Sequence, residues 1–427
     1  MARKELIESD QLNALQSALS SENDSKWKKY ECTLITPLYG GGVEAGHVDK
    51  DMPIRASEIR GHLRFWWRLL YGTNDSRNTF HREKAIWGGI GIKEAVKSKV
   101  SIRINSNSKS TAGSKATNHS YALFSTRGSK PDDSLIAEGY SFILNIKISD
   151  SSEGDTIKQV TETLRWWGSF GGIGARTRRG VGAISIHELI SESKPTALRP
   201  VSKEEVEGKN GKLCVQTATF DTPVDAWKSA VDSLKIFRQG NGVGRTHSRK
   251  PTGGESQWFD TDSIRNLSQN YFINEDNTKD REPSVPDLNS FPRAVFGLPI
   301  VYHFKDKHSY ERKQQVHKET NQWLKDDPKD HTIEPANEGS LQRNRMASPL
   351  ILRPYWDGES WRKAALLLPN WEAAQSQKLK VKENNKMKPQ NWASYLREKP
   401  GLSIPDPMIN RANDPLLAFM DYFKKGH

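Results

Sequence analysis

Residues 53–71, PIRASEIRGHLRFWWRLLY, suit one local structure, a helix with two unlike faces. Pro53 breaks the preceding loop, and Ser57 reads as the N-cap because its hydroxyl can accept an otherwise unpaired backbone N–H. Ile59, Leu63, Trp66 and Leu70 recur at helical spacing, an apolar stripe that demands a core. Beside it run Arg60, Arg64, Trp67 and Arg68. With Arg55, four arginines in the stretch meet one acid, Glu58. A solvated basic face explains any one of them. Their clustering beside tryptophans points instead to a polyanion, because guanidiniums take phosphate and indoles offer stacking surface. Ser57 and the first-turn N–H groups also suit a phosphate.

The flanking segments set the context of this helix. Lys29 to Leu38 alternates as a strand and leads, past Tyr39, into Gly40, Gly41 and Gly42, which permit backbone conformations closed to other residues. Val100–Asn105 and Tyr140–Ile148 read as further strands, Thr156–Phe170 as a second helix, and Ala183–Leu189 as a fourth strand. Ile157, Val160, Leu164 and Trp167 are expected to share the buried face of that second helix. The order is strand, helix, strand, strand, helix, strand, the split ferredoxin-like arrangement. Leu63-Arg64-Phe65-Trp66-Trp67 is echoed by Leu164-Arg165-Trp166-Trp167, as the pseudo-two-fold of that fold would have it.

Between the second helix and the fourth strand lies GGIGARTRRGVG, Gly171–Gly182. Arg176, Arg178 and Arg179 stand there with no acid nearby. Gly172, Gly174 and Gly180 are expected to expose successive N–H groups as an anion nest. The Lys plus Arg count of 64 against 52 acids, a formal net charge of +12, likewise favours a polyanionic partner. No apolar run reaches the length of a membrane span, and the first residues lack the apolar core of a signal peptide, so a cytoplasmic protein without a membrane partner is expected. Cys32 and Cys214 are too few for a disulfide framework or a thiolate zinc site, and the histidines show no ligand spacing; no metal or cofactor is expected.

A polar linker is read over 195–211, dividing an N-terminal extension (1–28) and a first domain (29–194) from a second, diverged domain (212–427). In the second domain Leu213–Phe220 is a strand whose Thr222-Pro223 sequel echoes Thr36-Pro37. Val224–Phe237 is a helix. Arg238 and a glycine- and arginine-rich loop, Gln239–Gly254, follow it. Strands are expected over Phe296–Phe304, Pro349–Leu352 and Ala364–Leu368, and helices over Gln390–Arg397 and Pro415–Phe423. Segments 106–119, 274–289 and 305–338 have too little apolar content to offset their ordering entropy and read as mobile loops.

TPLYGGG (36–42), PIRASEIRGHLRFWWR (53–68) and GGIGARTRRGVGAI (171–184) resemble the RAMP superfamily of CRISPR effector proteins, most of all the first subunit of the type III-B Cmr complex. FPRAVFGLP (291–299) and RMASPLILR (345–353) resemble the second half of that subunit. The resemblance implies an α+β chain of two tandem ferredoxin-like (RRM-like, βαββαβ) RAMP domains with long loop insertions. It implies a non-catalytic subunit that touches guide or target RNA near the 3′ end of the CRISPR RNA. The implied partners are CRISPR RNA, target single-stranded RNA and other Cmr RAMP subunits. The family pattern Ser-x-x-basic-Gly-x-x-Arg is matched by Ser57, Arg60, Gly61 and Arg64. The expected RNA-binding set is Gly40, Gly41, Gly42, Arg55, Ser57, Arg60, Gly61, Arg64, Trp67, Arg68, Gly172, Gly174, Arg176, Arg178, Arg179 and Gly180, with no catalytic residue. One departure stands out: Gln239–Gly254 sits too early in its domain to be a second copy of the glycine-rich loop. An endoribonuclease is the alternative. His47, Asp49 and Asp51 lie in the loop after the first strand, where a base could activate a 2′-hydroxyl.

Overall fold

The computed structural model describes residues 27–40, 42, 47–49, 51–91, 95–106, 121–123, 135–149, 154–190, 194–249, 254–268, 290–304, 328–336, 344–383, 386–393 and 405–426. Residues 1–26 of the N-terminal extension lie outside them, as do Gly41, all of the expected loop 274–289 and all but the first residue of the expected loop 106–119. Compactness divides the chain after Val201.

The first unit runs β1 (Lys28–Leu34), β2 (Leu38–Tyr39), α1 (Ala56–Tyr71), α2 (Ser76–Trp87), the short β3 (Gly89–Ile90) and β4 (Ala95–Val96), then β5 (Val100–Asn105). It continues with β6 (Leu135–Ile136), β7 (Ser141–Ile148), α3 (Gly154–Phe170), β8 (Ile184–Leu189) and β9 (Thr196–Ala197). The sheet order is β5-β7-β1-β8-β9, antiparallel throughout. Without the edge strand β9, this is the ferredoxin-like order, with the first strand between the third and the fourth. Tyr30, Cys32 and Leu34 alternate along β1 into the core; Tyr30 pairs with Leu144, and Cys32 with Phe142 and Ile186. Burial lifts the Cys32 thiol far above its ordinary range, which leaves it a small apolar core residue.

Helices α1 and α3 pack together through the echoed tryptophans. Trp66, Trp67, Trp166 and Trp167 are all buried, with Trp66 and Trp166 at 6.4 Å between ring centres. In α3 the buried face holds Val160, Leu164 and Trp167 as expected. Ile157 departs from that expectation and is 40% exposed, because the core stripe starts only with the second turn.

The segment expected as a linker is structured. Thr196–Ala197 pairs with β8, and α4 (Lys203–Glu207) is closed by a capping box between Ser202 and Glu205. The second unit continues with β10 (Lys212–Phe220), α5 (Pro223–Gln239), α6 (Asp260–Ser268), a 3₁₀ turn (Pro292–Phe296), β11 (Ile300–Tyr302) and β12 (His331–Pro335). It ends with β13 (Leu350–Trp356), β14 (Trp361–Leu367), β15 (Lys378–Glu383), β16 (Lys386–Ala393) and α7 (Pro415–Lys424). β10-β14-β13 form one sheet, the 1-3-2 part of the ferredoxin-like order, and no fourth strand joins it among the described residues. α5 and α7 cover it, with Phe237 of α5 between Phe419 and Tyr422 of α7 at 5.5 and 5.3 Å. Leu416, Phe419, Met420 and Phe423 of α7 all face this core.

A second sheet, β11-β12-β15-β16, has its own core of Ile264, Phe291, Leu298, Tyr302, Ile333, Leu379 and Val381. Two expectations fail here. His331–Pro335, read as loop within 305–338, is a strand between β11 and β15; the residues of that loop before 328 lie outside the description. The helix expected over Gln390–Arg397 is strand β16 up to Ala393, the rest lying outside the described residues. Pairing with β15 overrides a weak local pattern in β16, and pairing with β11 and β15 does so in β12. The expected strand Phe296–Phe304 narrows to Ile300–Tyr302 behind the 3₁₀ turn. Among the described residues, no helix is long and apolar enough to cross a membrane.

Candidate nucleic-acid interface

α1 begins at Ala56, with Arg55 as an extended N-cap that makes no side-chain capping bond. Ser57 is therefore not the cap; it lies exposed in the first turn. Two local features bring the helix in early. The Asp49 carboxylate accepts the N–H groups of Asp51 and Met52 at 3.1 and 2.9 Å, and Pro53 and Ile54 are buried. The apolar stripe Ile59, Leu63, Trp66 and Leu70 is buried as its spacing predicts. Trp67 corrects the sequence reading. It is fully buried, and its Nε1 donates to Gln159 Oε1 at 2.9 Å. One turn past Leu63, it lies only about 40° round the helix from that core residue. Trp67 therefore offers no face to a base.

Three sides of α1 are occupied differently. Arg60, next to the core, donates to Ser98 Oγ at 2.8 Å and to the Val100 carbonyl at 2.9 Å. Burial lowers its pKa, and the charge of Arg64 lowers it further. Arg64 and Arg68 both reach one oxygen, Glu83 Oε1 of α2, at 2.5 and 2.7 Å. Glu83 is 3% exposed, whereas the two guanidinium side chains remain 31% and 44% exposed. The arginines are thus answered by a second acid as well as Glu58, and Glu83 holds two of them side by side. Ser57, Gly61, Arg64 and Arg68 follow one another at i, i+4, i+7 and i+11, one face of the helix. A Cβ added to Gly61 would meet nothing within 4 Å, so this face is open.

The adjacent face, Glu58, His62 and Phe65, meets the glycine-rich loop. Gly174 donates its N–H to Glu58 Oε1 at 2.7 Å, and the Arg178 guanidinium lies 4.8 Å from the Phe65 ring centre. Burial pushes the Arg178 pKa down to about 10, and its Nη1 is buried with no hydrogen-bond partner among the described residues. The loop also closes on residues 36–40. Gly182 N–H meets the Pro37 carbonyl and Ala175 N–H the Tyr39 carbonyl, both at 2.8 Å. Thr36 Oγ1 donates to the Gly180 carbonyl at 2.6 Å and accepts the Ala183 N–H at 2.8 Å.

Much of the expected anion nest is therefore taken up within the protein. The N–H groups of Ile173, Gly174, Ala175, Gly180 and Gly182 all go to protein acceptors. The glycines serve close packing instead. Gly174 has φ +78°, and a Cβ there would come within 2.6 Å of the Tyr39 carbonyl oxygen; a Cβ on Gly172 would come within 2.7 Å of the Gly182 oxygen. Gly40 (φ +65°) and Gly180 (φ +74°) take left-handed turns, and Gly42 closes on the His47 carbonyl at 2.9 Å. What the loop presents is its arginines: exposed Arg176, part-exposed Arg179, and Arg178 stacked on Phe65.

The structure thus brings TPLYG, the first turns of α1 and the loop 171–183 together. Sequence reasoning missed Glu83, Ser98 and the partner role of Phe65. The i, i+7 spacing of Glu58 and Phe65 was the available signal for a second contact face. His47, Asp49 and Asp51 assemble no metal site; among the described residues no cluster of three metal-ligating side chains occurs.

Comparison with protein-family profiles matches residues 31–185 to the RAMP superfamily. The chain carries a RAMP domain. The match runs from β1 into β8, so it contains α1, the TPLYG segment and the whole glycine-rich loop. No curated protein sequence matches the chain. Among solved structures, the apo form of Cmr1 from Pyrococcus furiosus is similar at 15% identity and a TM-score of 0.42, over 80% of this chain and 87% of that one. A chain of the type III-B Cmr-beta complex bound to cognate target RNA is similar at 11% identity and a TM-score of 0.37, over 93% and 99%. A chain of a type IV-B CRISPR complex is similar at 12% identity and a TM-score of 0.28, over 41% and 95%.

Proposed function

We propose that this chain is a non-catalytic, RNA-binding RAMP subunit of a CRISPR RNA-guided effector complex of the type III-B Cmr kind. It acts in the cytoplasm in antiviral defence. It contacts guide or target RNA near the 3′ end of the CRISPR RNA, beside other RAMP subunits. The observation that carries the reading is the meeting of two arginine groups in the RAMP domain. Gly174 bonded to Glu58 and Arg178 stacked on Phe65 bring the loop arginines against the helix that carries Arg64 and Arg68. Guanidiniums grip phosphates in a fork geometry. Glu83 keeps Arg64 and Arg68 ordered before RNA arrives, so less side-chain freedom is lost on binding. Specificity comes from base pairing, with the protein holding backbone and shape.

Co-purification with the neighbouring gene products, followed by sequencing of bound RNA, tests the class. A ladder of short RNAs sharing a repeat-derived 5′ tag is expected; RNAs of no common origin overturn the reading. The non-catalytic role is tested with labelled RNA, expected to stay intact for hours with or without Mg²⁺. Asp49 already serves a turn through its carboxylate. Cleavage abolished by His47→Ala or Asp49→Ala would establish the endoribonuclease instead.

A further inference from the structure

The stretch Gln239–Gly254 is rich in glycine and arginine and has no part in the site above. Its residues 240–249 follow α5, the helix after β10, and 240–245 fold straight back. Gly240 N–H closes on the Ile236 carbonyl at 2.7 Å, Arg245 N–H returns to the Gly240 carbonyl at 2.9 Å, and Gly242 N–H reaches the Arg245 carbonyl at 2.9 Å. Gly244 then lies against the end of the helix, where a Cβ would come within 2.3 Å of the Arg238 carbonyl carbon. That contact sets Arg245 beside the last turn of α5, which carries Arg238. The Arg238 guanidinium lies 5.6 Å from the ring centre of Phe296. Arg293 stands three residues before Phe296 in the same 3₁₀ turn, and such turns bring i and i+3 to one side. Guanidiniums from three separate segments converge.

Their surroundings differ. Arg293 is anchored on the fully buried Asp260, which accepts its backbone N–H and its Nε at 3.2 Å each and the Tyr302 hydroxyl at 2.8 Å. Arg245 is part-buried, and the bond it makes is from Nη1 to the Gly254 carbonyl at 3.2 Å. No carboxylate pairs with it among the described residues. Burial lowers its pKa, and the charge of Arg293 lowers it further. A part-buried cation beside a second cation, held by one carbonyl, is an arrangement that an anion relieves. The tip of the loop is open: Gly242, at φ +76°, has nothing within 4 Å of a would-be Cβ, and Arg249 beyond it is exposed.

We propose that residues 239–249 form a second nucleic-acid site, in which Arg245, flanked by Arg238 and Arg293, takes a phosphodiester of single-stranded RNA. The inference rests on the reading of the chain as an RNA-binding subunit. It assigns RNA contact to the domain whose described residues hold no counterpart of the loop 171–182. The site grips backbone rather than bases. The aromatic residues Phe237, Trp258 and Phe296 packed beside it are buried to 1% exposure or less and offer no face to a base.

The probe is a fluorescein-labelled 20-mer oligouridylate, with a 4-thiouridine version for photocrosslinking to the full, unsubstituted chain. Digestion and mass spectrometry are expected to find RNA adducts on residues 239–249 as well as on 171–182. In titrations against salt, each phosphate contact contributes about 0.7 to the log–log slope. Arg245→Gln is expected to lower the slope by about that amount and weaken binding three- to tenfold. Arg249→Gln, at an exposed position with no packing role, is expected to lower the slope by less. An unsubstituted chain that shows no salt-dependent binding overturns both this inference and the RNA-binding reading. Binding that falls with Arg64→Gln/Arg68→Gln, yet keeps its slope in Arg245→Gln with no adduct on 239–249, overturns the second site alone. The loop's charge would then serve a protein contact or the fold.

Discussion

The glycine- and arginine-rich loop of the RAMP domain follows α3 and leads into β8, the strand beside β1; that of the second domain follows α5, the helix after β10, and doubles back on it. In the RAMP domain the loop is fastened at both ends of its course, by Glu58 and by the backbone of residues 36–39. The amides of Ile173, Gly174, Ala175, Gly180 and Gly182 are consumed, so its arginines stand on a fixed frame. In the second domain the glycines buy a tight reversal at Gly244 and an open tip at Gly242. Similar composition thus builds two different devices. Glycine content alone reports close backbone approach, and the neighbours decide whether any amide is left for a ligand.

The sharpest way to break this comparison is in the cores beneath the loops. Trp67 and Trp227 are buried to 1% exposure or less. Trp67→Ala and Trp227→Ala are each expected to cost about 3–5 kcal/mol in urea unfolding. A Trp67→Ala chain of normal stability that fails to bind RNA would return Trp67 to the binding face and undo its assignment to the core.

Next comes one positive-φ glycine from each loop. Gly174→Ala meets the Tyr39 carbonyl at 2.6 Å and is expected to cost about 2–4 kcal/mol, with a tenfold or greater loss of RNA affinity as the loop arginines shift. Gly242→Ala has open space and carries only the left-handed penalty of about 1 kcal/mol. Equal losses in thermal and RNA titrations would mean that the two loops are held alike.

Glu83→Gln removes the charge shared by Arg64 and Arg68. About 1–2 kcal/mol is expected, less than for a fully buried pair because both guanidiniums are part-exposed to solvent. A loss above that range would show the pair to be a structural strut of the domain.

The smallest effect separates the three helix arginines. Arg64→Gln/Arg68→Gln is expected to lower the salt slope by about 1.4, two phosphate contacts. Arg60→Gln should leave the slope unchanged and cost about 1 kcal/mol, because its hydrogen bonds go to Ser98 and the Val100 carbonyl. A slope that falls with Arg60→Gln would show that Arg60 leaves β5 when RNA binds.

The βαββαβ order of the first domain was legible because each element announces itself locally. β1 alternates, α1 repeats its apolar residues at helical spacing, and both helices carry the same tryptophan pair. The site was legible in part. Arg64 and Arg68 share one exposed helix face, whereas Ser57 is no cap, Trp67 is core, Arg60 is turned onto Ser98 and Val100, and the amides of Gly174, Gly180 and Gly182 are occupied. In the second domain, β12 was misread because its partner strands lie far along the chain, and β16 because its pairing with the adjacent β15 outweighs a weak helical pattern.

The sequence by itself determined which segments could be amphipathic helices or alternating strands, and that arginines would gather near glycines. Those properties depend on spacing within a few residues. Only the tertiary structure decided which guanidiniums stay available. Glu83 lies 19 and 15 residues from the arginines it holds, and Gly174 lies 116 residues from the carboxylate that takes its N–H. A charge's role is set by what is packed within a few ångströms of it, and periodicity along the chain carries no record of that.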